Sequence, residues 1–206
     1  MIISHRHKFI FIKTRKTAGT SIQVALEKYC DADDIICEMG PFEEGFGEFL
    51  PRNEGDFEGH DFASLVQDRL GEKIWDKYFK FAFVRNPWDK LVSQYWFDFP
   101  KANITFGEYL RREVKVSSTH LSNWYYYTDK EGKEPIVDFT GRYEKLQEHY
   151  DWVCAVLGIP SQILPVTKSG FRPNKEYQSY YKRWEHRIVN ENHGFIKEAT
   201  YFGYLF

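Results

Sequence analysis

The chain has 206 residues, 42% hydrophobic and 28% charged, enough material for one domain with a sizeable core. Aromatic residues make up 18%, which excludes a disordered chain. A net charge of −2 leaves no whole-protein basic field for nucleic acid or an anionic membrane.

The first stretch, MIISHRHKFIFIKTRK, has too short an apolar run and no small-residue cleavage site for a secretion signal. Within it, Phe9-Ile10-Phe11-Ile12 reads as a strand buried on both faces. A polar loop follows. Ile22, Ala25, Leu26 and Tyr29 then recur at i, i+3, i+4 and i+7, the apolar face of a helix. Residues 31–61 hold eleven acids against one base, Arg52, a net −10, so the remainder carries +8 against the chain's −2. This segment is either an acidic loop insertion guarding an anion-binding body or a solvated surface loop.

Tyr78–Val84 reads as a second buried strand, and Asn86-Pro87 supplies a helix N-cap with proline at the first helical position. The helix turns Trp88, Leu91, Val92 and Tyr95 inward. The run Trp124-Tyr125-Tyr126-Tyr127 either stacks on a ring ligand or packs a core. Ile136–Phe139 reads as a third strand, with a turn at Gly141. A helix from about Glu144 to Leu157 buries Leu146, Tyr150, Val153 and Leu157, and Gly158 stops it. Residues 159–175 read as loop, and a last helix runs from about Lys175 to Ala199.

Strands alternating with helices predict a three-layer α/β/α fold with a mostly parallel central sheet, one domain over residues 1–206. In such folds ligands sit beyond the carboxyl ends of the strands. Cys30, Cys37 and Cys154 form no CxxC pair, and their odd number suits a reducing, cytoplasmic setting.

The first strand-to-helix loop, Lys13-Thr14-Arg15-Lys16-Thr17-Ala18-Gly19-Thr20-Ser21, places three cations and four hydroxyls at a helix N-terminus. Free N–H groups and the positive dipole end favour an anion there, and lysine adds a point charge. The loop is not a Walker A motif, since no glycine precedes Lys16 at the required spacing. At the second junction Arg85 ends a strand and Ser93 lies about two turns into the helix. An arginine fork suits phosphate; its rival role is pairing with a carboxylate such as Asp89. Arg142, after Gly141, either reaches the same ligand or caps its neighbours.

KTRKTAGTS followed by FAFVRNPWDKLVSQY resembles the two cofactor motifs of carbohydrate sulfotransferases. The kinship is closest to heparan sulfate 2-O-sulfotransferase-like enzymes of the stand-alone microbial type. It continues through VDFTGRYEKL, LGIP and the terminal YFGY. The resemblance implies a P-loop nucleotide-hydrolase-like fold and 3′-phosphoadenosine 5′-phosphosulfate (PAPS) as donor, with 3′,5′-adenosine bisphosphate as product and no metal. By the same resemblance Lys16 contacts the 5′-phosphosulfate, with Arg15, Thr17, Ala18, Gly19, Thr20 and Ser21 in the cradle around it. Arg85 and Ser93 match the pair that holds the 3′-phosphate. Lys168, Ser169 and Arg172 match the loop that closes over the nucleotide. His60, in Gly59-His60-Asp61, matches the catalytic histidine, and His120 is the other candidate base. Gly19 stands where several relatives carry serine.

The activity so implied is transfer of the sulfuryl group to an acceptor hydroxyl, that of a saccharide or small molecule, with a histidine as general base. The −10 segment, placed near the acceptor side, leads to the expectation of a neutral or weakly charged acceptor. Nucleic-acid and membrane partners are not expected, and no heptad pattern decides an oligomeric state. The competing readings are an ATP-dependent kinase-like P-loop enzyme and a non-catalytic nucleotide binder on the same fold.

Overall fold

The computed structural model describes residues 1–39, 51–98, 104–115, 121–167, 170, 172–182 and 184–206. Among them the order is β1 (Ile2–Ser4), β2 (Phe9–Ile12), α1 (Gly19–Glu27), β3 (Ile35–Ile36), α2 (Ala63–Leu70), α3 (Glu72–Trp75), β4 (Phe79–Val84), α4 (Pro87–Asp98), α5 (Phe106–Lys115), β5 (Phe139–Arg142), α6 (Leu146–Leu157) and α7 (His193–Phe202). The strands form one mixed sheet in the order β3-β1-β2-β4-β5. β2, β4 and β5 are parallel, with Phe11 opposite Phe81 and Phe81 opposite Phe139.

The sheet also has an antiparallel flank that the sequence reading did not anticipate. Ile2 of β1 pairs with Phe11 on one side and Ile36 on the other. A strand of two residues carries no legible pattern, and side chains fix it instead. The buried Asp34 carboxylate accepts from Ser4 Oγ at 2.9 Å and from the backbone N–H groups of His5 at 2.6 Å and Asp31 at 2.9 Å. That pins the turn after β1 to the start of β3.

Contacts group the chain into two compact units, Met1–Val84 with Tyr126–Thr167, and Arg85–Tyr125 with Lys168–Phe206. In the first, Phe9, Phe11, Phe81 and Phe83 of the sheet pack with Ile22, Ala25 and Leu26 of α1 and Tyr150 and Val153 of α6. The Phe11 and Phe81 rings stack with centroids 5.2 Å apart. Each such ring, fully buried, contributes about 1.5–3 kcal/mol. Tyr29, expected inside, is only partly buried at the rim of this cluster.

The third strand is not Ile136–Phe139 but Phe139–Arg142. Asp138 accepts the Lys80 backbone N–H at 2.7 Å and pairs with Lys80 Nζ at 3.0 Å. Ile136 instead donates to the Tyr127 carbonyl at 2.9 Å, which takes it out of the sheet. Gly141, expected at a turn, lies within β5 because a Cβ there would come 2.5 Å from the Phe83 ring. α6 ends as expected at Gly158, which adopts φ 66°.

In the second unit Asn86 caps α4 as expected. Its Oδ1 accepts from Trp88 N at 3.0 Å and Asp89 N at 3.3 Å. Trp88, Leu91, Val92 and Tyr95 are buried. The expected last helix, 175–199, is broken into 3-10 turns at Tyr177–Tyr180 and Glu185–Glu191 followed by α7. Aromatic anchors redirect the chain there: Tyr181 Oη donates to the Trp88 carbonyl at 2.8 Å, and Trp88 Nε1 donates to the His186 carbonyl at 3.0 Å. Asn192 then leaves helical geometry and caps α7 through Phe195 N at 3.2 Å.

Candidate donor and base site

The loop between β2 and α1 is built around two left-handed residues. Lys16 has φ 61° and Ala18 has φ 62°, while Thr17 between them is not in that region. A non-glycine residue held there costs on the order of 1–3 kcal/mol, so the surroundings must impose it. Two buried threonines do so. Thr14 Oγ1 donates to the Phe83 carbonyl and lies 2.8 Å from Thr17 Oγ1. Backbone that alternates in this way, running into a helix N-terminus, turns successive N–H groups into one concavity suited to an anion. Ala18 is the N-cap of α1, and its carbonyl accepts from Ile22 N at 3.1 Å.

The cradle residues differ in what they offer. Thr17 is fully buried and its hydroxyl is turned into the loop, so its backbone is the part suited to an anion. Ser21 Oγ lies 2.9 Å from Thr167 Oγ1. Arg15, Lys16, Ala18 and Thr20 are half-buried. Gly19 has a specific steric reason: a Cβ there would meet Lys13 Cγ at 2.7 Å, so the buried Lys13 stem crosses directly over it.

His60 reaches the same loop from the segment before α2. Its Nδ1 lies 2.7 Å from the Lys13 carbonyl oxygen. A carbonyl only accepts, so Nδ1 carries the proton in the neutral ring and Nε2 keeps its lone pair. The residue as a whole is exposed, yet desolvation on the loop side, followed by the Lys13 and Arg15 cations, holds the imidazole well below its ordinary pKa. The ring stands edge-on to Tyr126, with centroids 6.3 Å apart. Tyr126 is fully buried, its Oη accepts from Arg15 Nε at 2.7 Å, and it packs on Phe62 at 4.9 Å. Asp61 anchors the turn that carries His60 by accepting Glu58 N at 2.8 Å and pairing with Arg69 at 2.6 Å.

In the second unit Asp89 and Ser93 are four residues apart on one side of α4, and Arg85 stands two residues before the helix begins. Arg85 Nε donates to Asp89 Oδ2 at 2.7 Å, so the carboxylate pairing weighed above is made, through Nε. The other Asp89 oxygen pairs with Arg172 Nη1. The three side chains are 8%, 14% and 16% exposed, mostly shielded from water. Arg172 Nε also donates to the Asn174 carbonyl at 2.5 Å. In sequence Arg85 directly follows Val84, the last residue of β4.

Several expected residues do not join either group. Lys168 and Ser169 lie outside the described residues, as does His120. Trp124, Tyr126 and Tyr127 are buried, so the aromatic run packs cores rather than offering an open stacking face. Arg142 sits at the end of β5, where its backbone N–H donates to His149 Nδ1 at 2.7 Å. Of the acidic segment, Asp31, Asp34, Glu54 and Asp61 bond to the protein's own groups, and residues 40–50 lie outside the described set. Sequence reasoning missed Tyr126 as the partner of Arg15 and His60, and it took Asp89 only as a rival to ligand binding. Among the described residues no cluster of three or more His, Cys, Asp or Glu is placed to hold a metal, and no helix is long and apolar enough to cross a membrane.

A model of the family described as "Sulfotransferase family" matches residues 1–198. The chain is also 36% identical over 109 residues to an uncharacterized protein of Archaeoglobus fulgidus, a match covering 49% of this chain and 85% of that relative.

Proposed function

This chain belongs to the sulfotransferase family, and on that premise we propose that it moves the sulfuryl group of PAPS to an acceptor hydroxyl, that of a carbohydrate. The mixed α/β architecture is compatible with that family. In this reading it is the P-loop-like, three-layer sulfotransferase fold, with the chain acting as one catalytic domain. The observation that carries the reading is the His60–Lys13 hydrogen bond of 2.7 Å, which joins a candidate base to an anion-suited loop.

PAPS supplies a sulfuryl group already activated on a phosphate leaving group. The N–H groups of the loop from Arg15 to Ser21, with the Lys16 ammonium, hold the 5′ end. Lys16 neutralises the charge that develops on the leaving oxygen. Arg85 and Ser93 hold the 3′-phosphate, with Lys168, Ser169 and Arg172 closing over the nucleotide. His60 Nε2 takes the proton of the acceptor hydroxyl, a contribution of typically ~10²–10⁴-fold. Since Nδ1 is committed to Lys13, the lone pair is already on the nitrogen that needs it. The transferred group carries one negative charge, so fixed cations suffice for charge stabilisation and the reading requires no metal.

Incubation with ³⁵S-labelled PAPS and a panel of saccharides tests it. Label should move to a hydroxyl acceptor and be lost in His60→Ala and Lys16→Ala. No transfer to any hydroxyl compound, with ATP and magnesium instead consumed, overturns it.

A further inference from the structure

Asp89 stands at the centre of the second unit's cationic group rather than at its edge. One carboxylate oxygen takes Arg85 Nε at 2.7 Å and the other takes Arg172 Nη1. The bond to Arg85 is a local i, i+4 contact into the first turn of α4 from two residues before it, whereas Arg172 lies 83 residues further along the chain. Asp89 is itself oriented from below, because its backbone N–H donates to the Asn86 cap at 3.3 Å. Arg172 is held a second time by the Asn174 carbonyl, and Asn174 N donates to Tyr180 Oη at 2.8 Å. The segment carrying Arg172 is thus tied to the first turn of α4 through this carboxylate.

We propose that Asp89 is a positioning residue for recognition of the 3′-phosphate, fixing Arg85 and Arg172 as the two arms of one clamp. The inference rests on the reading of Arg85 and Ser93 as the 3′-phosphate site. Two guanidiniums repel, and a shared carboxylate lets them stand side by side. It also takes the rotational freedom out of Arg85 before the ligand arrives. An arginine already fixed in one rotamer loses less entropy on binding, and its fork meets phosphate oxygens in a set direction.

Charge and geometry make opposite forecasts for Asp89, which gives the inference a sign. If the carboxylate acted only through its charge, removing it would raise the local positive potential and tighten binding of any phosphate. As a positioning group, its removal weakens the ligand that carries a 3′-phosphate and leaves a ligand without one unaffected.

The test is calorimetric titration of the full chain with 3′,5′-adenosine bisphosphate and with 5′-AMP, for the native protein, Asp89→Asn, Asp89→Ala and Arg172→Met. The native protein should prefer the bisphosphate. Asp89→Asn should lower that preference about ten-fold, the order of one charge-assisted hydrogen bond, with 5′-AMP affinity changed less than two-fold. Arg172→Met should lower the preference as well, and joining it to Asp89→Asn should lower it little further, since the two act as one unit. The unchanged 5′-AMP affinity certifies the fold of the Asp89 variants, and a native circular dichroism spectrum that of Arg172→Met. If Asp89→Ala fails to fold, Asp89→Asn alone decides. An unchanged or increased preference in Asp89→Asn, or a parallel loss of both ligands, overturns the inference. Failure of the native protein to prefer the bisphosphate overturns instead the reading on which it rests.

Discussion

His60 Nδ1 and the Lys13 carbonyl oxygen are 2.7 Å apart, so the candidate base is held by the first residue of the loop suited to the donor's anionic end. The same Lys13 passes its buried stem over Gly19 at the start of α1. One residue therefore sets the tautomer of His60 and packs beneath the start of α1 in the candidate anion loop. A change in either group should be felt by the other.

The first consequence concerns pH. Desolvation and the facing Lys13 and Arg15 cations lower the His60 pKa in the folded protein. The neutral form, which alone can accept a proton, therefore persists below the ordinary imidazole pKa of ~6.5. An NMR titration of the free protein should place the His60 midpoint below that value, and bound 3′,5′-adenosine bisphosphate should move it up by screening the two cations. The linked stability follows in sign. A depressed histidine pKa contributes stability above the unfolded value, and it is lost as pH falls through the folded one. A midpoint at or above 6.5 in the free protein contradicts this account of the base.

Tyr126→Phe removes only the oxygen that accepts from Arg15 Nε at 2.7 Å and keeps the ring against His60 and Phe62. Bisphosphate affinity should fall about ten-fold, ~1.4 kcal/mol, while kcat and the His60 titration stay near native. Tyr126→Leu should disturb both. A Tyr126→Phe protein that binds normally but loses kcat would place the Arg15 contact on the acceptor side instead.

Thr14→Val keeps the shape of the side chain but strips the hydroxyl that links Thr17 to the Phe83 carbonyl. Buried partners left unsatisfied cost about 1–3 kcal/mol. The left-handed residues Lys16 and Ala18 also lose what imposes them. Thermal unfolding should show the loss of stability, and the variant should bind the bisphosphate more weakly even at temperatures where it is fully folded.

Asp34 carries a separate prediction about acid. Burial raises its pKa, but hydrogen bonds from Asp31, Ser4, Arg6 and His5 outweigh it, and the net shift is downward. A carboxylate with a depressed folded pKa contributes stability above the unfolded value, ~3.9, and loses it as pH falls through the folded one. Asp34→Asn should be less stable than the native protein at neutral pH. The gap should narrow as the pH drops toward 3, as followed by urea unfolding. A constant gap would show that the charge plays no part.

How much of this was legible depends on what holds each piece. Phe9–Ile12 and Phe81–Val84 are buried on both faces, so they stand out as continuous apolar runs. β5 reads Phe-Thr-Gly-Arg because Phe83 fills the space a side chain would take at Gly141, and the apolar signal slid upstream to Ile136. The antiparallel flank depends on one buried carboxylate, Asp34, whose partners no periodicity reveals. Lys13–Ser21 and Arg85 were visible because cations at strand ends announce their chemistry locally. Tyr126 was not, since Arg15 meets it across 111 residues of sequence. The last helix failed because Trp88 and Tyr181 bind backbone carbonyls and bend the chain where helical spacing alone continues it.

Calorimetric titration with metal-free 3′,5′-adenosine bisphosphate, beside ATP with magnesium, decides which donor the chain takes. The bisphosphate should bind tightly without metal, with binding lost in Arg85→Ala and weakened in Lys16→Ala, and ATP should bind more weakly. Preference for ATP with magnesium, or bisphosphate binding indifferent to both substitutions, would contradict it.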